Sequence, residues 1–322
     1  MSPQPTASPA LSAVGLRKSF DDKTILDGID LNVAKGTIFS LLGPNGAGKT
    51  TTVQILSTLI TADDGDVRVG GHDVARDPDA VRAAIGVTGQ FSAVDDLLTG
   101  EENLILIADL HHLGRREGRR RAAELLDRFD LAAAATRTAA TYSGGMRRRL
   151  DLAMTLVGRP RIVFLDEPTT GLDPRSRRTM WEIVRELVAG GATIFLTTQY
   201  LEEADQLADR VAVLDQGKLV AEGTPDELKR LIPGAHIRLR FADASRLGAA
   251  ARGFDGSSRD DEALTLRIPS DGSVTAVRAV LDRLDALAID ADELSLHTPD
   301  LDDVFLALTG APDHDDQKAV TA

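Results

Sequence analysis

The sequence predicts an α/β core, an inserted block of helices and a small α+β domain at the C-terminal end. An apolar strand-like run at residues 37–42 leads into a glycine-rich loop and then into a helical pattern from Lys49. A second apolar run, residues 162–165, lacks alternation, as expected of a strand buried on both faces. Between them, residues 99–157 are helical in pattern, which is typical of an insertion between strands of an α/β core.

The remaining elements follow from periodicity in chain order. Alternation or short apolar runs predict strands, and apolar residues three and four apart predict helices. The strands are predicted at 13–20, 29–33, 37–42, 66–69, 72–74, 85–89, 162–165, 192–197, 211–214 and 219–222. The helices are predicted at 49–59, 101–112, 117–129, 146–157, 175–188 and 201–207. Thr224 followed by Pro225 predicts the start of a further helix, because proline fits the first helical position.

Changes in pattern divide the chain into segments. Residues 1–10 are rich in proline, serine and alanine and predict a disordered lead-in. Residues 11–232 hold the α/β core. After them, apolar residues alternate in two short stretches and then recur at helical spacing, so residues 235–310 predict a small α+β domain. Residues 311–322 are polar and predict a disordered tail.

Composition limits the class of protein. The 322 residues are 43% hydrophobic and 27% charged, as in a soluble globular protein. The net charge of −13 disfavours nucleic acid as a partner, and the absence of cysteine excludes disulfides and thiolate metal sites. No apolar run approaches the roughly 18 residues that suggest a membrane span, and the N-terminus lacks a signal-peptide pattern. We therefore expect the protein in the cytosol or on the cytosolic face of a membrane.

A cluster of six arginines interrupts this acidic chain, and two interpretations of it stay open. One is a solvated helix face, which is the usual role of a charge run. The other is contact with acidic headgroups or with a partner's loop at the membrane surface. The cluster consists of Arg115, Arg116, Arg119, Arg120, Arg121 and Arg128.

The glycine-rich loop predicts a site for a nucleoside triphosphate. Its glycines allow successive backbone N–H groups to face one anion, and the following helix adds its positive N-terminal end. Lys49 can then reach the β- and γ-phosphates, and the Thr50 hydroxyl can ligate Mg²⁺. The loop consists of Gly43, Pro44, Asn45, Gly46, Ala47, Gly48, Lys49, Thr50 and Thr51.

Two further motifs complete a catalytic set. The second apolar strand ends in Asp166-Glu167, so Asp166 can hold Mg²⁺ opposite Thr50 while Glu167 orients or deprotonates the attacking water. Ser143-Gly144-Gly145 precedes a helical pattern and predicts a second anion site of the same physical type. Each motif has a structural alternative as a helix or turn cap. Together with the phosphate loop, they predict an ATPase.

These motifs, in this order, resemble the ATP-binding subunit of an ATP-binding cassette (ABC) transporter over about residues 11–231. The resemblance implies a phosphate-loop NTPase cassette: a RecA-like core with a β-subdomain and an inserted helical subdomain. It implies ATP and Mg²⁺ as cofactors, with Phe20 stacking on adenine. It also implies that Gln90 is a ligand of Mg²⁺ that links the metal site to a membrane subunit.

The resemblance also implies that two copies of the chain work together. Ser143, Gly144 and Gly145 would contact ATP that is held by the phosphate loop of a second copy. Asp173 would cross the dimer interface beside Glu167. Each ATP would then lie between two chains, and hydrolysis would require a homodimer.

The sequence departs from the family pattern at three positions. Tyr142 stands where leucine is usual before Ser-Gly-Gly, and Met146 stands where glutamine is usual after it. Gln199 stands where most of the superfamily has the switch histidine. Glutamine can donate a neutral hydrogen bond to the γ-phosphate but cannot become cationic. We therefore expect Gln199 to keep the phosphate contact and Glu167 to supply the base.

The residues around Tyr142 and Gln199, together with a terminal Leu-Asp-Asp-Val-Phe-Leu motif at residues 301–306, resemble the daunorubicin/doxorubicin-resistance branch. The match then extends over residues 11–310. That branch implies ATP-driven efflux of a hydrophobic drug or antibiotic through a separately encoded multi-span permease. The subunit would lie peripherally on the cytoplasmic face of the cell membrane and contact the membrane through the permease, with residues 235–310 assisting assembly.

Three other functions remain open at this point. The same ATPase could export a lipid, glycan or peptide, because the permease selects the cargo. A soluble ABC ATPase acting in translation or DNA repair would usually contain two fused cassettes or a long coiled coil, and this chain has neither. A regulatory ATP-binding module with negligible turnover has only Gln199 in its favour.

Overall fold

The computed structural model describes residues 8–89, 93–231, 235–297 and 299–309. The chain divides into two compact units, Met1–Pro225 and Asp226–Ala322. The strands up to the boundary are β1 (Leu11–Phe20), β2 (Lys23–Val33), β3 (Ile38–Leu42), β4 (Asp64–Val69), β5 (His72–Asp73), β6 (Ile85–Thr88), β7 (Ile162–Asp166), β8 (Thr193–Thr198), β9 (Arg210–Asp215) and β10 (Lys218–Gly223). The helices up to the boundary are α1 (Lys49–Leu56), α2 (Pro78–Ala84), α3 (Gly100–Leu110), α4 (Arg115–Arg128), α5 (Gly144–Thr155), α6 (Pro174–Ala189) and α7 (Leu201–Leu207), with α8 (Pro225–Lys229) at the boundary itself.

A six-stranded sheet forms the centre of the first unit, in the order β10-β9-β3-β8-β7-β6. All neighbouring strands are parallel except the β9–β10 pair. Every residue of β3, β7 and β8 is buried, which explains why their sequences show no alternation. The rings of Phe39 and Phe195 stack with centroids 5.6 Å apart inside this core. The α/β core is as the sequence predicts.

A second sheet, β2-β1-β4-β5, is antiparallel. The predicted hairpin at residues 66–74 is formed by β4 and β5. Gly70 and Gly71 between them have φ values of 63° and 90°, a backbone region that glycine adopts without the Cβ penalty. Strand β2 starts at Lys23, six residues before the predicted strand at 29–33.

The inserted block contains α3, α4 and α5. A capping box starts α3: the Glu102 N–H donates to Thr99 Oγ1 at 3.2 Å, and the Thr99 N–H donates to Glu102 Oε2 at 2.8 Å. The three helices share a buried core that includes Leu104, Leu125 and Leu150. Residues 131–141, between α4 and α5, contain two short 3₁₀ turns.

The arginine cluster lies on α4, and its members have different surroundings. Arg121 is buried and donates a hydrogen bond of 2.7 Å to the carbonyl oxygen of Leu156, so this arginine anchors the helix. The other five are exposed, and Arg120 pairs with Glu117 at 2.6 Å. The solvated-face interpretation therefore holds for five of the six. Contact with headgroups or a partner stays a prediction.

Two helices differ from the predicted pattern. Helix α1 ends at Leu56 rather than near residue 59, because Thr58 adopts a left-handed conformation with φ of 67°. Helix α2, which was not predicted, spans only seven residues, and its buried side chains are those of Val81 and Ala84. Two apolar residues are too few to establish a helical period.

The second unit contains a four-stranded antiparallel sheet in the order β12-β13-β11-β14. Its apolar core includes Ile237, Leu239, Leu266, Val280 and Leu284. The elements are β11 (His236–Arg240), α9 (Ala244–Ala251), β12 (Ser258–Asp260), β13 (Thr265–Pro269), α10 (Val274–Leu287), β14 (Glu293–His297) and α11 (Leu301–Thr309). The alternating strands and the helical pattern near 277–284 are as predicted. Helix α9 was not.

Among the described residues, none of the helices combines the length and the apolar character that crossing a bilayer requires.

Candidate active site

Three loops follow neighbouring strands at one edge of the central sheet. Strand β8 lies between β3 and β7, with Leu42 opposite Thr198 and Asp166 opposite Thr197. The residues that follow these strand ends therefore emerge side by side. They are Gly43 at the start of the phosphate loop, Glu167 after β7 and Gln199 after β8. This is the edge where open α/β sheets bind ligands.

The phosphate loop needs glycine at particular positions. Gly46 and Gly48 have φ values of 80° and 111°, which other residues adopt only with strain. A Cβ on Gly48 would lie 2.6 Å from Leu26 Cδ2, and a Cβ on Gly43 would lie 2.3 Å from the Leu214 carbonyl oxygen. The loop is therefore packed against its neighbours on two sides, and α1 begins directly after it.

Lys49 lies between the loop and the acidic strand end. Its Nζ donates hydrogen bonds of 2.7 Å to the Gly43 carbonyl oxygen and 3.1 Å to that of Pro44, and it lies 3.7 Å from Glu167 Oε1. Burial lowers the pKa of Lys49, while the carboxylates of Glu167 and Asp166 oppose that shift. A buried ammonium of this kind can exchange its carbonyl partners for phosphate oxygens when a triphosphate binds.

Asp166 and Thr50 face each other across the site. Thr50 Oγ1 lies 3.4 Å from Asp166 Oδ1, and the same oxygen accepts a 2.5 Å hydrogen bond from Thr197 Oγ1. Asp166 is 3% exposed. A hydroxyl and a buried carboxylate oxygen at this separation fit a hard cation such as Mg²⁺, which keeps several waters and takes few protein ligands. Gln90, the third predicted ligand, lies outside the described residues.

Glu167 has a left-handed backbone with φ of 49°, which is uncommon for a residue other than glycine. Its N–H donates to Thr197, to the carbonyl oxygen at 3.1 Å and to Oγ1 at 3.2 Å. Its Oε2 accepts a hydrogen bond of 3.2 Å from Thr170 Oγ1. Backbone strain of this kind persists where the surrounding structure enforces it, and it concentrates at functional sites.

The second anion motif forms the exposed start of α5. Ser143 caps this helix, with its Oγ accepting from the Met146 N–H at 3.3 Å, and both Ser143 and Gly144 are exposed. A Cβ on Gly145 would lie 2.6 Å from Ser176 Oγ. In the described part of the chain, no hydrogen bond joins residues 143–145 to the phosphate loop.

Asp173 caps α6. Its Oδ1 accepts from the N–H groups of Arg175 and Ser176, both at 3.0 Å, and its Oδ2 accepts from Ser176 Oγ at 2.7 Å. The Ser176 hydroxyl and backbone N–H lower the pKa of Asp173. The carboxylate is therefore ionised and exposed, a position from which it can reach another molecule.

Phe20 and Gln199 are the remaining predicted site residues. Phe20 ends β1 and is 46% exposed, with Lys18 Nζ 5.2 Å from its ring centroid. An exposed aromatic ring is available for stacking on a base. Gln199 is half-buried just after β8, and the next residue, Tyr200, lies under the guanidinium of Arg177 at 5.1 Å.

Tyr142, the first departure from the family pattern, is a buried structural residue. Its hydroxyl donates a hydrogen bond of 2.8 Å to the Ala134 carbonyl oxygen. A Cβ on Gly100 would lie only 2.2 Å from that hydroxyl, so a glycine at the start of α3 makes room for the tyrosine. Met146, the second departure, packs against the core of the helical block.

Two residues of the site were missed from the sequence. Arg148 on α5 contacts the carbonyl oxygens of residues 166–168 at the end of β7, although its only sequence signal is an aspartate three residues later. Glu203 on α7 is completely buried and accepts a hydrogen bond of 3.1 Å from Trp181 Nε1. Its sequence, Glu202-Glu203, is that of an ordinary exposed helix start.

A phosphate loop after one strand and an Asp-Glu pair after another strand of the same parallel sheet define a phosphate-loop nucleoside triphosphatase. Comparison with known proteins narrows the class. The family model for ABC transporters matches residues 26–170. A daunorubicin resistance ATP-binding protein of Streptomyces coeruleorubidus, DrrA3, is 51% identical over 306 residues, which cover 94% of this chain and 97% of the relative.

Two further comparisons agree. The daunorubicin/doxorubicin resistance ATP-binding protein DrrA of Streptomyces peucetius is 48% identical over 98% of this chain and 96% of its own. A solved ATP-binding subunit of an ABC transporter superposes with a TM-score of 0.62 at 29% identity, covering 69% of this chain and 92% of that one. The chain belongs to the family of ABC transporter ATP-binding subunits, and it is an ATPase.

Proposed function

We propose that this chain is the ATP-hydrolysing subunit of an exporter that expels a hydrophobic drug or antibiotic through a separate membrane permease. The observation that carries the catalytic part is the meeting of Lys49, Asp166 and Glu167 at one sheet edge. The drug cargo is supported by the similarity to two resistance proteins, which extends through the C-terminal unit. Relatives named for Nod factor export are less similar, at 35% and 37% identity, so the drug cargo is the better supported of the two.

Within one chain, residues 43–51 bind the phosphates of ATP, and the Lys49 ammonium neutralises charge on the β- and γ-phosphates. Thr50 and Asp166 hold Mg²⁺, with Gln90 as the third ligand. When bound, Mg²⁺ neutralises charge that develops during phosphoryl transfer. Phe20 stacks on the adenine.

Glu167 accepts a proton from the attacking water, and Gln199 donates a neutral hydrogen bond to the γ-phosphate. The carboxylate of Glu167 is held from two sides, by the Thr170 hydroxyl and by the Lys49 ammonium. Its side chain is 9% exposed, so bulk water competes little for it. A base fixed in this way needs no reorganisation before proton transfer.

Two copies of the chain are needed for hydrolysis. Ser143, Gly144 and Gly145 contact ATP that is bound to the phosphate loop of the second copy, and Asp173 crosses the interface. What supports this arrangement is the start of α5, which is exposed and, among the described residues, makes no hydrogen bond to the phosphate loop of its own chain. The permease then couples the closing of the two copies to transport, on the cytoplasmic face of the membrane.

The test is recovery of the tagged chain from gently solubilised membranes of its host, with partners identified by mass spectrometry. A multi-span protein in stoichiometric amount is expected, and deleting either gene should lower the efflux of an anthracycline from loaded cells. Recovery of ribosomes or DNA would overturn the transport role. A permease whose loss changes lipid or glycan export, with unchanged anthracycline efflux, would overturn the cargo.

A further inference from the structure

Arg148 binds four backbone carbonyl oxygens that surround the acidic strand end. Its Nε donates to Pro168 at 2.9 Å, and its two terminal nitrogens donate to Gly89 at 3.0 Å, Asp166 at 3.1 Å and Glu167 at 3.3 Å. The side chain is 12% exposed. A planar guanidinium can satisfy several acceptors in a fixed geometry, which a lysine ammonium cannot reproduce.

Asp151 is the carboxylate partner of Arg148, one turn further along α5. Its Oδ2 lies 3.1 Å from the Arg148 guanidinium, and its Oδ1 accepts a hydrogen bond of 3.0 Å from the Ala93 N–H. Asp151 is 3% exposed. Through this pair, α5 holds both Gly89 and Ala93, the described residues on either side of 90–92.

The three consecutive carbonyl groups bound by Arg148 include that of Glu167, the residue with φ of 49°. Thr197 holds the N–H side of the same residue. The strained conformation is therefore fixed from two directions, by β8 on one side and by α5 on the other. The contact from α5 also connects Glu167 to the second anion motif, because Ser143 and Gly144 form the start of the same helix.

We propose that Arg148, supported by Asp151, is a positioning residue for ATP hydrolysis: it fixes the turn that aims the Glu167 carboxylate and ties that turn to α5. The inference rests on the proposed role of Glu167 as the base. Arg148 acts through the backbone, because its guanidinium binds the carbonyl oxygens of residues 166–168. Its loss therefore affects the rate of hydrolysis and leaves ATP binding intact.

The first experiment compares Arg148→Lys with Arg149→Lys in the full-length chain. Arg149 is the matched control because it also binds backbone carbonyls, those of Phe129 at 2.8 Å and Asp130 at 3.3 Å. Among the described residues, it makes no hydrogen bond or ion pair to β7. We expect Arg148→Lys to lower kcat about 10- to 100-fold, since a displaced catalytic group loses rate steeply. The KM for ATP and the Kd of a fluorescent ATP analogue should change less than about 2-fold.

Arg149→Lys should leave kcat within about 2-fold of that of the unsubstituted chain, although its melting temperature should shift about as much as that of Arg148→Lys. Equal losses of kcat in the two variants would assign Arg148 a purely structural role and overturn the proposal. If Arg148→Lys does not fold, Asp151→Asn serves instead, because it keeps an acceptor for the Ala93 N–H and loses the ion pair. It should lower kcat without weakening binding, and an unchanged kcat would also count against the proposal.

A double-mutant cycle with Glu167→Gln separates this proposal from the one on which it rests. If Arg148 works through Glu167, adding Arg148→Lys to Glu167→Gln lowers the residual rate less than about 2-fold further. A multiplicative loss would place the action of Arg148 elsewhere. If Glu167→Gln alone hydrolyses ATP at the normal rate, the proposed base is wrong, whatever Arg148 does.

Discussion

The Trp181 indole donates a hydrogen bond of 3.1 Å to the carboxylate of Glu203, a side chain with no exposure to solvent. The other carboxylate oxygen, Oε2, has no hydrogen-bond partner of standard geometry in the described part of the chain. Burial raises the pKa of Glu203, against the opposing effects of the Thr198 and Thr169 hydroxyls and Trp181. The folded protein therefore binds this proton more tightly than the unfolded chain does.

This pKa shift predicts a pH-dependent stability. The tighter binding of a proton by Glu203 in the folded state contributes fully to the free energy of unfolding below the unfolded-state pKa of glutamate, about 4.3. This contribution is lost as pH rises through the higher pKa of Glu203 in the folded state. Glu203→Gln should remove that loss, so its free energy of unfolding relative to the unsubstituted chain should increase from pH 5 to pH 8 in urea titrations. Glu202→Gln is the control, because Glu202 is 67% exposed. Parallel pH curves for Glu203→Gln and the unsubstituted chain would show that Glu203 is ionised in the fold.

Glu167→Gln should bind ATP and form an ATP-dependent dimer, yet hydrolyse ATP about 10²- to 10⁴-fold more slowly, the range expected for loss of a general base. Phosphate release gives the rate, and size-exclusion chromatography with ATP gives the dimer. Glu182→Gln on α6 is an exposed control that should leave both measurements unchanged. Rapid turnover by Glu167→Gln would remove Glu167 from the mechanism.

Gln199→Ala should reduce kcat about 10-fold, the cost of roughly one neutral hydrogen bond to phosphate. Gln199→His should keep the activity that Gln199→Ala loses. It should also add an inflection near pH 6.5 to the rate profile, because histidine titrates there and glutamine does not. Gln206→Ala, at an exposed position on α7, is the control. An unchanged rate for Gln199→Ala would contradict the phosphate contact.

Gly100→Ala should destabilise the helical block by about 1–3 kcal/mol through overpacking, because the new Cβ would lie 2.2 Å from the Tyr142 hydroxyl. Tyr142→Phe removes the hydroxyl and should cost about 1 kcal/mol for the lost bond to Ala134. The double variant should then lose less free energy of unfolding than the sum of the two single losses, because Tyr142→Phe removes the atom that the new Cβ would meet. Strict additivity in urea unfolding would show that α3 moves away from the tyrosine instead.

The α/β core and the phosphate loop could be predicted from sequence because buried strands and glycine-rich turns have local patterns. The different contacts of three neighbouring arginines could not be predicted. The Arg147 side chain is 33% exposed and pairs with Asp96. Arg148 is 12% exposed and packs against the end of β7, whereas Arg149 is 18% exposed and packs against the helical block. Three identical residues in a row acquire different roles only from the tertiary contacts around one helix.

Backbone conformation and burial were equally hidden. Nothing in the local sequence indicates that Glu167 adopts a positive φ or that Glu203 is buried while Glu202 is exposed. Both properties depend on elements that are distant in sequence, such as Thr197 for Glu167 and Trp181 for Glu203. The sequence motifs therefore predicted where the site lies, but the contacts that hold its side chains in place depend on residues distant in sequence.

At position 167 the residue best for stability differs from the residue best for activity, because Glu167 has a left-handed backbone. Glycine adopts this conformation without strain, and asparagine does so more readily than glutamate. Random substitution screened for thermal stability alone would therefore favour replacing the residue that we propose as the base. Glutamate can persist there only under selection for turnover, so libraries of this protein built for robustness should hold position 167 fixed.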